Sequence, residues 1–161
     1  MANTTFQGPV RSENGFKTIV KSASTGAITN EMTFSQYTAT VTVASGATTG
    51  KESSIGIPSN FIPMGVTIAV TTAATNSVTL NDIGTDADTD GFVDGISPAV
   101  NSTGFKGFFP CNGVLGMSGG ATTASTATAD EVEVVVSGDP GASGVTMVLK
   151  FIGISSSSDA S

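Results

Sequence analysis

The 161-residue chain has no histidine, no tryptophan, one tyrosine, one cysteine and only six basic residues. Each shortage closes off a class of function. Without histidine, Ser-His-Asp and Cys-His hydrolases are excluded, and the commonest general base and metal ligand is missing. A lone Cys111 permits no intramolecular disulfide, so burial and backbone pairing must hold the fold, with the thiol expected in the interior. Six Lys and Arg against thirteen Asp and Glu give a net charge of −7. Phosphate neutralisation needs clustered cations, so no nucleic acid is expected as a partner. No stretch approaches the ~18 consecutive apolar residues of a membrane helix, and "MANTTFQGPV" lacks the apolar run of a signal peptide. Synthesis in a cytoplasm and no membrane association are therefore expected.

What the chain does have is Thr, Ser, Gly and Val at low charge density, 12% of residues, in a length suited to one domain. That composition fits an all-β protein with a hydroxyl-rich surface. From Tyr37 the polarity alternates with period two. "YTATVTVA" sets Thr38, Thr40 and Thr42 against Tyr37, Ala39, Val41 and Val43. Further strands are expected in "SSIGIP", "VTIAVTT", "NSVTLNDIG", "EVEVVVSG" and "VTMVLKFIG", with "FVDGI" and "STGFKGFFPCNG" as shorter candidates. In "EVEVVVSG", Glu131 and Glu133 fall on the wet side and Val132, Val134 and Val136 inside; "VTMVLKFIG" carries Lys150 as its lone charge. Pro58 and Pro63 punctuate "SNFIPMG", and "DPGASG" is a turn. With turn signals every ten or so residues and no helical period, a β-sandwich or barrel is expected.

The ends read differently. Residues 1–35 hold Phe6, Phe16 and Phe34 singly among polar residues and glycines, a pattern that builds no core. They form an expected extended arm, docked either on a partner or back on its own domain. The sandwich then spans 36–154, "SGGATTASTATA" is a long exposed connection, and 155–161 is a disordered tail.

Two acidic groups invite a chemical reading. Glu131 and Glu133 share a strand face as a glycosidase pair would, but no cleft aromatics accompany them, and the solvent side of an amphipathic strand is the preferred reading. "GVLGMSGG" lacks the Lys-Ser/Thr ending of a phosphate loop. "DADTDGFVDG" places Asp86, Asp88, Asp90, Gly91, Phe92 and Asp94 at positions 1, 3, 5, 6, 7 and 9 of a twelve-residue calcium loop. The twelfth position is Ser97, which cannot be a bidentate ligand, and β-forming sequence replaces the flanking helices. The alternatives are a calcium site completed from elsewhere and an Asp-rich turn between strands.

Taken whole, the chain resembles the small head proteins of short-tailed bacteriophages, particularly those of marine cyanobacteria and other marine bacteria. "MANTTFQGPVRSENGFK" is similar to the start of such virion proteins. "SSIGIPSNFIPMGVTIAVTTAATNSVTLNDIGTDADTDGFVDGI" resembles a pattern of phage decoration and capsid-fibre proteins. The resemblance implies a jelly-roll-like β-sandwich, trimeric, on the outer surface of a capsid and bracing the major capsid protein. It further implies that Asp88, Thr89, Asp90 and Phe92 form a turn that buries Phe92. The expectation is a non-enzymatic virion protein, assembled in the host cytoplasm, whose arm meets the capsid through Phe6, Arg11, Phe16 and Lys17. A second expectation is a receptor- or carbohydrate-binding sandwich of a virion fibre, with calcium held by Asp86, Asp88, Asp90 and Asp94.

Overall fold

Runs of Thr, Val, Ile and Phe with alternating polarity become strands, because branched and aromatic side chains pack well on a pleated, half-buried surface. The computed structural model describes residues 17–52, 57, 61–116 and 131–156. Within them lie β1 (Lys17–Lys21), β2 (Ile28–Val43), β3 (Thr49–Lys51), β4 (Phe61–Thr72), β5 (Leu80–Thr85), β6 (Gly104–Pro110), β7 (Val132–Val136) and β8 (Val145–Ser156). Among the described residues there is no helix.

The strands form two antiparallel sheets, a five-stranded one ordered β1-β2-β8-β4-β6 and a three-stranded one ordered β3-β7-β5. From β2 onward, successive strands alternate between the sheets. Between β5 and β6 the chain runs beside β5 without forming a full strand. Isolated bridges join Thr79 to Ala99 and Ile83 to Val93, and Leu80 N–H bonds the Pro98 carbonyl at 3.0 Å.

The architecture is an all-β sandwich, as the period-two pattern requires. The register of β2, β8, β4 and β6 sorts residues into rows. Inward rows run Tyr37–Phe151–Val66–Phe109, then Ala39–Leu149–Ile68 and Val41–Met147–Val70. The second sheet contributes Val132, Val134, Val136, Leu80 and Ile83 to the same core. Phe92 is fully buried and meets Phe151 edge to face, centroids 5.5 Å apart, so the turn does bury it. Cys111 is buried as expected, and the apolar surroundings push its thiol up to about 12.

Three boundaries differ from the sequence reading. Residues 17–35 carry strand structure and dock on their own domain, one of the two alternatives left open: β1 and the first half of β2 form a hairpin at the edge of the larger sheet, turning through Gly26 at φ 71°. The isolated aromatics hid this, because an edge hairpin needs no core of its own once a neighbouring strand supplies one. Pro63 punctuates nothing; it lies inside β4 beside a bulge, where a missing N–H is tolerated. β8 runs to Ser156, past the expected start of the tail. Residues 1–16, 118–129, 157–161 and most of "SSIGIP" lie outside the described residues; of the last, Ile57 is buried.

Candidate functional site

Two surfaces on opposite sides of the sandwich carry the unusual chemistry. The first is the acidic side. β5 delivers its chain into the Asp-rich loop, which main-chain bonds close: Thr85 N–H to the Asp88 carbonyl at 2.8 Å, Asp88 N–H to the Thr85 carbonyl at 3.1 Å, and Gly91 N–H to the Asp88 carbonyl at 3.1 Å. The loop folds so tightly over Gly84 that a Cβ there would stand 2.0 Å from the Asp88 carbonyl oxygen. Phe92 N–H then bonds the Ile83 carbonyl and carries the chain back beside β5.

The four expected calcium ligands do not converge. Asp86 pairs with the Lys51 ammonium. Asp88 is hydrogen-bonded to Asp90, and that neighbour, together with burial, holds the Asp88 carboxyl above its usual range. Asp94 is exposed, its N–H on Asn112 Oδ1 at 2.9 Å and its carbonyl accepting from Asn112 Nδ2 at 3.0 Å. Among the described residues, no three of His, Cys, Asp and Glu gather as a metal cage. The backbone-capping carboxylate is Asp82, which accepts from Gly95 N–H at 3.0 Å.

Lys51, Glu133 and Gly84 face one another across β3, β7 and β5. The expectation that Glu131 and Glu133 are both wet is corrected by half: Glu131 is exposed, but Glu133 is only 5% exposed. It points outward as the alternation requires, yet β7 is the middle strand and its neighbours cover the carboxylate. Oε2 of Glu133 is buried without a hydrogen-bond partner and lies 3.9 Å from the Lys51 ammonium. Burial raises the Glu133 carboxyl, and Lys51 draws it back down in part. A carboxylate pair needs both members open to a substrate, and this one has a single open member.

The second surface is the outer face of the larger sheet. Its rows run Phe34–Ile154–Ile62, then Gln36–Ile152–Gly65–Pro110, Thr38–Lys150–Thr67–Phe108, and Thr40–Val148–Ala69–Phe105. Phe105 is 70% exposed, Phe34 58%, Phe108 50% and Ile152 46%, with Met64 on the β4 bulge beside them. The Phe108 ring lies over Gly65, so close that any Cβ there would meet it at 2.2 Å. Several large exposed apolar side chains gathered on one sheet face, here among Gln36, threonines and Lys150, mark an interaction surface better than scattered single residues do. The sequence carried a signal for this face: in "VTMVLKFIG" the outward positions include apolar Val148 and Ile152 as well as Thr146 and Lys150.

Of the expected capsid-contact residues, Phe6, Arg11 and Phe16 lie outside the described residues. Lys17 opens β1, paired with Thr33. No protein-family model, curated protein or solved structure matches the chain.

Proposed function

We propose that this chain is a structural protein of a virion surface, a decoration or cement protein that braces major capsid subunits. The observation that carries the reading is the outer face of β2, β8, β4 and β6, where Phe34, Phe105, Phe108, Ile152 and Met64 stand exposed on a rigid sheet. A broad apolar face suits protein contact, whereas small-molecule chemistry calls for a concave site with convergent polar groups. The strand order supports the same reading. The alternation of β2 to β8 between the sheets, with the chain at 93–99 running beside β5, supports a jelly-roll reading, an architecture common in capsids. The resemblance of "MANTTFQGPVRSENGFK" and of the 53–96 stretch to phage head proteins supplies the setting.

In this reading residues 1–16, with Phe6, Arg11 and Phe16, reach the capsid and the sandwich forms an oligomeric body. The test is co-sedimentation with capsids prepared without this protein, using the full chain and a form lacking residues 1–16. Hundreds of copies bound per capsid support decoration, and loss of binding in the shortened form assigns the anchor. Absence of binding by the full chain sinks the proposal.

Phe105 and Phe108 also favour a second reading, a carbohydrate-binding face, although phenyl rings lack the polar handle that Tyr and Trp bring to sugars. Retention of the protein on polysaccharide, abolished in Phe105→Ser, would select it.

A further inference from the structure

The two outer surfaces have complementary characters. On the larger sheet the rows from Phe34 to Phe105 are apolar or hydroxyl-bearing apart from Gln36, with Lys150 near their middle and no carboxylate among them. On the other side, Asp82, Glu131 and Glu133 belong to or flank the β3-β7-β5 sheet, and Asp86, Asp88, Asp90 and Asp94 lie in the adjoining loop. The one lysine described there, Lys51, is already engaged by Asp86. That acidic side also has an apolar projection. Val114 is 64% exposed on the segment that packs against the loop through Gly113 N–H to the Phe92 carbonyl and Leu115 N–H to the Gly91 carbonyl.

The geometry points to head-to-tail self-association, in which the apolar, Lys150-bearing face of one copy packs on the acidic loop side of a second copy. Charge decides the arrangement. Pressing two identical faces together puts two Lys150 ammoniums into an apolar layer with no carboxylate to meet them, and an unpaired buried charge is costly. Head-to-tail contact gives each Lys150 an acidic counterpart and lets Val114 meet the Phe105 and Phe108 rings. An interface between unlike patches closes into a ring only when its rotation permits, and patches on opposite sides of one sandwich instead add copy to copy in an open stack. This deepens the assembly role proposed above but needs no capsid, so the two stand or fall separately.

The test uses the purified full chain alone. Sedimentation equilibrium at low and high salt gives the oligomeric state. A zero-length carbodiimide cross-linker applied to a mixture of isotope-labelled and unlabelled copies identifies which carboxylates meet Lys150 between copies. Association that grows with concentration and is weakened by salt is expected, with Lys150 joined to Glu131 or to a carboxylate between 82 and 94. Phe105→Ser and Lys150→Glu should each weaken association by about tenfold or more. Both positions are exposed, so melting of the dissociated protein should not change, and if Phe105→Ser disturbs folding, Lys150→Glu still reads the interface. A monomer at all concentrations overturns the inference. So does a salt-insensitive dimer, or cross-links that never leave one copy. If the protein is monomeric yet still decorates capsids, the inference falls and the decoration role stands.

Discussion

Tyr37 donates its phenolic hydrogen to Glu52 Oε2 at 2.6 Å, joining β2 of one sheet to the chain leaving β3 of the other. Glu52 is 4% exposed and its N–H bonds the Val132 carbonyl, so the pair lies where the sheets meet. Tyr37→Phe keeps the ring against Phe151 and removes only the donor to a buried carboxylate. It should cost about 1.5–3 kcal/mol, read by denaturant unfolding. An unchanged midpoint would mean that the bond does not form in solution.

The same tyrosine is the only one in the chain, so phenolate absorbance reports it alone. Burial, reinforced by the Glu52 hydrogen bond and charge, holds its hydroxyl well above the ordinary range. In the unfolded chain it titrates near ~10. The stabilisation is therefore complete below that pH and is lost as pH rises toward the folded value. An alkaline titration should show no phenolate near ~10, then a steep rise coinciding with unfolding. Smooth ionisation of the intact protein near ~10 would contradict the burial.

Glu133 makes the opposite kind of contribution at neutral pH. Its folded carboxyl is raised, chiefly by burial, so the folded state holds its proton longer than the unfolded state. Stability from this group is full below the unfolded value near ~4.3 and declines as pH rises through the folded value. Glu133→Gln removes that decline, so its stability relative to the natural protein should improve as pH rises from ~4 to neutrality. Lys51→Met should do the reverse, since it removes the cation 3.9 Å from a buried oxygen. Equal differences at all pH values would show that Glu133 is solvated.

Much of the sandwich was legible in the sequence because burial on one face forces period two. Val134 is the clearest case: it lies between Val132 and Val136, pairs with Ile83 and is fully buried. Val134→Asp should cost at least ~3 kcal/mol by burying an unpaired carboxylate. Glu133 lay one position away and was misjudged, because period two tells which side a residue faces and not what covers that side. The β1–β2 hairpin was missed for a related reason: its pairing with β8 is remote in sequence, and nothing local announces it. The exposed aromatic face was hidden because Phe105 and Phe108 belong to "GFKGFFP", where Lys106 bulges out opposite Ile68 and Ala69 and breaks the alternation. The alternation could therefore not assign the β6 rings to a face.

Asp139 caps two backbones at once, accepting 2.8 Å bonds from Gly46 N–H and Gly141 N–H. Those donors hold its carboxyl below the usual range. The stabilisation is therefore present above the unfolded value near ~3.9 and is lost as pH falls through the folded value. Asp139→Ala should lower the melting temperature at neutral pH, and the gap from the natural protein should close in strong acid. A gap that persists unchanged in acid would assign the effect to packing.

The acidic loop is expected to keep its shape without calcium. Its closure comes from the main-chain bonds between Thr85, Asp88 and Gly91, the return of Phe92 and Val93 onto Ile83, and the engagement of Asp86 by Lys51. None of these needs a metal, and burial of Phe92 adds about 1.5–3 kcal/mol from the apolar side. A bound ion at ~100 times its dissociation constant would add about 2.7 kcal/mol, a readily measured rise in melting temperature. Scans in chelator and in excess calcium should therefore coincide. Gly84→Ala should lower stability in both by about 1–3 kcal/mol, because its Cβ would displace the Asp88 carbonyl on which the loop closes. A large drop on chelation, with Gly84→Ala abolishing the calcium response, would instead make the loop a metal site whose ligands are drawn together by the ion.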